Sequence, residues 1–161
     1  MRRSQSGFSL IELLIVVAII LVIAALAVPN LIRSKMAANE ASAVSALRTI
    51  NTAQTTYLIA YPDLGYSDTL TKLAMPPTGN PVSSDAAGLL DWVLGCATQP
   101  CPKAGYNFSI TNTVGTPINA YTITAVPTLP GQTGVRGFCS NQVPVLTYDQ
   151  NGGTSCTNVM Q

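Results

Sequence analysis

The side chains that could carry chemistry are few, and their spacing argues against catalysis. The chain has no histidine, which removes the commonest general base and the commonest metal ligand. Ser-His-Asp and Cys-His triads are therefore impossible within it. Asp63, Asp68, Asp85 and Asp91 are dispersed, and nothing pairs any two of them as general acid and base. Four cysteines, Cys96, Cys101, Cys139 and Cys156, stand at C-x4-C and C-x16-C spacing. A four-thiolate zinc site would be expected to show paired C-x2-C knuckles. Three disulfide pairings are open to four cysteines. The expected ones are Cys96–Cys101, closing the loop CATQPC, and Cys139–Cys156, tethering the C-terminal segment to a strand. The longer tether is worth roughly 3 kcal/mol in the chain-entropy account. Asp149-Gln150-Asn151-Gly152-Gly153 is a weak calcium candidate through Asp149 and Asn151. One acid and one amide are too few for an oxygen cage, and the stretch reads as a β-turn after a strand. No cofactor, no metal and no enzymatic activity are expected.

One further carboxylate stands apart. Glu12 lies in an apolar run from Phe8 to Val28 that only it and Ser9 interrupt. As a helix this run is about 31 Å long, enough to cross the hydrocarbon core. Arg2 and Arg3 precede it, with no acid before it. That asymmetry keeps the N-terminus cytoplasmic and places the C-terminal part outside, where disulfides persist. A secretory signal peptide would place a small-x-small cleavage site after the run, and Ala25-Leu26-Ala27 fits one loosely. The run is longer than a usual signal core, however, and the helical pattern continues well past it. A single-span anchor is the other general reading. Neither accounts for an acid near the start of the segment, where a charge costs roughly 2.5 kcal/mol or more at mid-bilayer and usually marks a partner.

The string Gly7-Phe8-Ser9-Leu10-Ile11-Glu12 resembles the processing site of type IV prepilins and of type II secretion pseudopilins. The motif resemblance covers about residues 1–60; beyond that it is architectural. It implies cleavage between Gly7 and Phe8 by a prepilin peptidase, N-methylation of Phe8, and a role for Glu12 in pairing with the new terminus of an adjacent subunit. Pro29 stands where many members of the family carry a helix-kinking proline, and many staple the C-terminal region with a disulfide. Elementary physics agrees. The cut would leave a positive amine at the helix N-terminus, the wrong end of the dipole for a cation, beside a carboxylate in apolar surroundings. Each is costly alone and the two compensate together, so the pair would set register between copies. Glycine at the cut offers a peptidase close backbone access.

The elements that must position these residues follow from periodicity. After Pro29 the pattern stays helical to about Ala60. Ala43, Leu47, Ile50, Ala53 and Tyr57 form one apolar stripe at spacings of three and four, with Glu40, Arg48 and Asn51 placed elsewhere. Pro29 lacks an amide hydrogen, so a kink or local melting is expected there. A helix from Phe8 to Ala60 would measure about 80 Å. The hundred or so residues left can bury only a modest core, and they cannot cover such a helix. Residues 62–105 read as a long connecting region with a short helix near Ala86–Val93 and Trp92 as a local core anchor. Tyr106–Thr111, Tyr121–Val126, Val135–Ser140 and Val143–Tyr148 are strand candidates. The expected fold is α+β and type IV pilin-like: a long N-terminal helix packed against an antiparallel sheet of three to four strands. Its divisions are a leader at 1–7, a helix at 8–60 (apolar at 8–28, amphipathic at 29–60) and a head at 61–161.

Charged residues make up 9% of the 161-residue chain, and the net charge is +1; soluble domains usually carry about 25%. There is no basic patch for nucleic acid, and little like-charge repulsion to keep identical copies apart. The resemblance implies a pilus subunit stored in the bacterial inner membrane, processed by the peptidase, and polymerised through its N-terminal helices by an inner-membrane assembly machinery into an extracellular filament. Such filaments serve adhesion, motility or DNA uptake. A type II secretion pseudopilin and a monomeric membrane-anchored binding module are the alternatives.

Overall fold

The structure is a computed structural model that describes residues 8–160. The expected leader 1–7, including Gly7, lies outside the described residues. The chain divides into two compact units, one ending at Lys35 and the other beginning at Met36.

Helix α1 (Leu10–Ala60) supplies the secondary structure of the first unit, and Pro29 lies inside it. From Phe8 to Leu31 every residue except the half-buried Ala24 is exposed. Among the described residues this is one helix long and apolar enough to cross a membrane. It lacks the polar face of a helix made for water, because apolar side chains point out all round it.

In the second unit α1 is amphipathic. Ala43, Leu47, Ile50, Ala53 and Tyr57 are all buried, joined by Ala46 and Gln54. They pack into one core with a six-stranded antiparallel sheet whose strands neighbour one another in chain order. The strands are β1 (Cys101–Lys103), β2 (Tyr106–Val114), β3 (Ala120–Pro127), β4 (Gly137–Asn141), β5 (Thr147–Asp149) and β6 (Asn158–Val159). Period-two alternation turns Tyr106, Phe108 and Ile110 of β2 and Tyr121, Ile123 and Ala125 of β3 into the core. The register pairs Ile110 with Ile123, Phe108 with Ala125, and Ala125 with Phe138. Each fully buried Leu, Ile or Phe here stabilises the fold by about 1.5–3 kcal/mol. The sheet thus has six strands, not three to four. The added β1 and β6 are too short to show alternation, and hydrogen bonding to β2 and β5 defines them.

Two expectations for the connecting region are corrected. The short helix is α2 (Leu70–Leu73), capped by Thr69, whose side chain accepts the Lys72 amide. No helix forms at 86–93, because the amides of Ala87, Gly88, Leu89 and Leu90 donate to carbonyls of Lys72, Leu73 and Ala74. Trp92 is 56% exposed. The core positions beside it belong to Leu90 and Leu94, whose side chains are buried. Disulfides join Cys96 to Cys101 and Cys139 to Cys156, with Cα atoms 5.5 and 6.0 Å apart.

The start of this region is pinned to the β2–β3 connection at one glycine. The Tyr66 amide donates to the Ile118 carbonyl and the Ile118 amide to the Leu64 carbonyl, both at 2.9 Å. Gly65 between them has φ +83°, and a Cβ there would collide with the Ile118 backbone. Both the conformation and the close approach exclude a side chain. Gly65→Ala is expected to destabilise the disulfide-intact chain by about 3 kcal/mol in urea unfolding. A loss under about 0.5 kcal/mol, the level of an inert surface change, would contradict this account.

Candidate functional site

The N-terminal site is assembled by the first turn of α1. The Ser9 carbonyl accepts the amides of Glu12 and Leu13, at 3.1 and 3.3 Å. The Glu12 carboxylate reaches back to accept the Ser9 amide at 2.9 Å. This is the returning half of a capping box, and it satisfies a backbone donor that the helix start would otherwise leave unpaired. The pattern Ser9-x-x-Glu12 ahead of an apolar run is its sequence signature, which the family resemblance overshadowed. Its effect is to hold the single carboxylate of the apolar segment at the positive end of the helix dipole, one residue from Phe8. The Phe8 side chain is itself 84% exposed.

A second set of polar residues fastens α1 to the sheet and loops of the Met36–Gln161 unit. Glu40 is 8% exposed. Its Oε1 accepts the amides of Val135 and Arg136, at 3.0 and 3.2 Å. Its Oε2 accepts Nε and Nη2 of Arg136, at 2.9 and 2.7 Å. Burial works to raise the carboxyl's pKa, but the Val135 amide, the Arg136 guanidinium and the Arg136 amide together outweigh it and hold it below its ordinary value. Beside it Asn39 Nδ2 donates to the Thr133 carbonyl at 2.7 Å, and the Tyr106 hydroxyl donates to the Arg136 carbonyl at 2.8 Å. Farther along α1, Asn51 Nδ2 donates to Ser140 Oγ at 2.7 Å, while its Oδ1 accepts the Tyr121 hydroxyl at 3.1 Å. Burial, with Tyr66 nearby, pushes the Tyr121 phenol up to about 12. Gln54 exchanges two bonds with the Ser67 backbone, at 2.9 and 2.8 Å.

Sequence reasoning placed Glu40 and Asn51 off the buried stripe; both are buried. Glu40 stands three residues before Ala43 and continues the same spacing by one step. A charge at a stripe position is a signal for a buried partner, although the partner's identity is invisible without the fold.

Three other carboxylates are committed elsewhere. Asp68 pairs with Lys72 and Asp91 with Lys103. Asp149 Oδ1 accepts the Asn151 amide at 2.8 Å and Oδ2 the Ser155 amide at 3.2 Å, which folds the turn after β5 around its carboxylate. Among the described residues no group of three or more His, Cys, Asp or Glu side chains converges as a metal site would require.

Residues 2–28 match the family model for the prokaryotic N-terminal methylation motif. The chain is 38% identical over 103 residues to the type IV major pilin protein PilA of Myxococcus xanthus, covering 62% of this chain and 46% of that protein. It is 35% identical over 81 residues to the type II secretion system core protein G of Klebsiella michiganensis, covering 47% of this chain and 57% of that protein. It is 39% identical over 83 residues to the core protein G of Pseudomonas aeruginosa, covering 50% and 57%. The chain thus carries the prokaryotic N-terminal methylation motif and is similar to a type IV pilin and to type II secretion core proteins. The chain spans about half the length of the curated relatives it matches. No solved structure gives a significant match. Pilins and pseudopilins as families are structural subunits and not enzymes, and an α1 packed on an antiparallel sheet agrees with the pilin-like α+β fold.

Proposed function

We propose that this chain is a structural subunit of a type IV pilus. In this reading residues 1–7 are a leader that is removed, and residues 8–28 hold the precursor in the bacterial inner membrane with its head outside the cytoplasm. A prepilin peptidase cuts between Gly7 and Phe8 and methylates the new Phe8 amine. The subunit then leaves the lipid for a filament on the cell surface, guided by the inner-membrane assembly machinery. Residues 8–28 form the filament core, 29–60 the amphipathic half of the helix, and 61–161 the outer head, which serves adhesion, motility or DNA uptake. Pro29 is the point at which the helix adapts on leaving the bilayer.

The observation that carries this reading is the exposed apolar segment of α1 behind the methylation motif. So large a continuous apolar surface is unstable in water, and only lipid or sister helices can cover it. Before assembly the lipid does so. Afterwards the Glu12 carboxylate of one copy meets the Phe8 amine of the next, which fixes register by penalising an unpaired charge.

A pseudopilin of type II secretion is the second reading, and the two matches to core protein G favour it. The match to a major pilin extends over more of this chain, 62% against 47% and 50%, and tilts the choice to a pilus. Shearing surface filaments from native cells and weighing the chain's N-terminal peptide separates the two. Methyl-Phe8 in abundant long filaments is expected. Mature chain confined to the envelope would transfer the assignment to secretion.

A further inference from the structure

Position 152, in the turn after β5, admits only glycine. Gly152 has φ +75°, and a Cβ there would lie 2.9 Å from the Val135 carbonyl oxygen and 3.1 Å from Pro127 Cγ. Both the backbone conformation and the close approach exclude a side chain. The residue before it is Asn151, and of the ten asparagines in the chain this one alone precedes a glycine. The packing under Val135 thereby sets a carboxamide next to a peptide nitrogen that no side chain shields.

The turn leaves both groups available. Asn151 is exposed. Asp149 Oδ1 accepts its backbone amide at 2.8 Å, but among the described residues nothing holds its side-chain amide. Other carboxamides are engaged: Asn39 by the Thr133 carbonyl, Asn51 by Ser140 and Tyr121, Asn141 by the Val143 amide and Asn158 by the Tyr148 carbonyl. The Gly152 amide donates to the Asp149 carbonyl at 3.4 Å, a long and weak bond.

We propose that Asn151 is a site of self-modification in the folded chain. The Gly152 nitrogen, on losing its proton to hydroxide, attacks Asn151 Cγ. A C–N bond forms, the Cγ–Nδ2 bond breaks, and Nδ2 takes a proton from water and leaves as ammonia. One water then opens the resulting five-membered imide. Opening at Cγ leaves an aspartyl residue with the original main chain. Opening at the main-chain carbonyl leaves an isoaspartyl residue, in which the chain runs through Cβ and Cγ. The net change is one water taken up and one ammonia released, with no oxidation or reduction. Either product puts a second carboxylate two residues from Asp149. The isoaspartyl product also lengthens the main chain by one carbon, in a turn where Asp149 grips the Asn151 and Ser155 amides and Gly152 packs beneath Val135. The segment leading from β5 to Cys156 is loosened as a result. The step needs only water, so it is the same for a pilus subunit and for a secretion subunit.

The test holds the full chain, with both disulfides intact, in zwitterionic detergent micelles at physiological temperature and mildly alkaline pH. Mass spectrometry follows the tryptic peptide 137–161, with fragmentation to place the change, and isoaspartyl-specific enzymatic methylation reports the lengthened linkage. Asn151 should turn from amide to acid at least ~10-fold faster than the exposed Asn119, whose following residue Ala120 carries a shielding Cβ. The rate should fall in mildly acidic buffer. Asn151→Gln should slow the reaction at position 151 at least ~10-fold, because the added methylene spoils the geometry of attack. In the isoaspartyl product the Ser155 amide should exchange its hydrogen at least ~5-fold faster, as a locally opened turn does. A folded chain in which Asn151 converts no faster than Asn119 would overturn the proposal. So would conversion that appears only after reduction and denaturation, because the turn would then protect the residue. Unchanged Ser155 exchange in the isoaspartyl product would overturn the loosening of the segment.

Discussion

Glu12→Ala is expected to cut filament yield at least about tenfold while leaving leader removal at Gly7/Phe8 intact. Removing one partner of a desolvated charge pair strands the other, at a cost of about 3–5 kcal/mol, and here the stranded partner would be the Phe8 amine of a neighbour. The alanine also deletes the bond from Glu12 to the Ser9 amide, a loss of about 1 kcal/mol on the scale of helix caps. The two effects separate through a second variant. Glu12→Gln keeps an oxygen for the Ser9 amide but carries no charge. If charge pairing between copies governs assembly, glutamine fails as alanine does. If the cap alone matters, glutamine restores the filament. The N-terminal mass of the membrane-held chain reports on processing in each case. Unchanged filament yield in Glu12→Ala would remove the proposed role of this residue altogether.

The parts of the fold that were legible in the sequence are those governed by period. The stripe Ala43–Tyr57 and the strands around Phe108 and Ile123 place apolar side chains at intervals that only one face of a helix or sheet satisfies. What was not legible depends on pairing across long sequence separations. Glu40 looks like one exposed helical acid among others until Arg136 is folded beside it, 96 residues away. The 62–105 stretch has neither period, and its order comes from amides at 87–90 meeting carbonyls at 72–74, a match no local pattern announces. Trp92 misled because aromatic bulk is usually buried, yet Leu90 and Leu94 occupy the inward positions on either side of it. At the N-terminal site the motif was plain. The bond from Glu12 to Ser9 was equally readable as a capping box, and only a more specific pattern in the same six residues drew attention from it.

The Glu40–Arg136 clasp should be the largest single polar contribution to the stability of the Met36–Gln161 unit, and its pH dependence distinguishes charge from packing. Arg136→Ala leaves a nearly buried carboxylate facing two amides and no cation, and it also removes the guanidinium lying 5.5 Å from the rings of Phe138 and Tyr148. Because the Arg136 side chain is 41% exposed, water screens part of the attraction, and the expected loss at neutral pH is about 2–3 kcal/mol rather than the full cost of a dry pair. The sign with pH follows from the depressed folded-state pKa of Glu40. A carboxyl held below its ordinary value of 4.5 contributes stability that is fully present above that value and is lost as pH falls through the lower folded value. In Arg136→Ala burial is no longer opposed by the guanidinium, so less of that contribution exists to be lost. The stability gap between parent and variant, measured by urea unfolding with both disulfides intact, should therefore be widest near pH 7 and narrow on acidification below 4.5. Stacking on Phe138 and Tyr148 carries no proton, and a gap that stayed constant from neutral to acid pH would assign Arg136 to packing alone. Glu40→Gln completes the comparison: it should lose stability at neutral pH, because a neutral amide offers one acceptor where the carboxylate serves four donors, and it should converge on the parent in acid for the same reason.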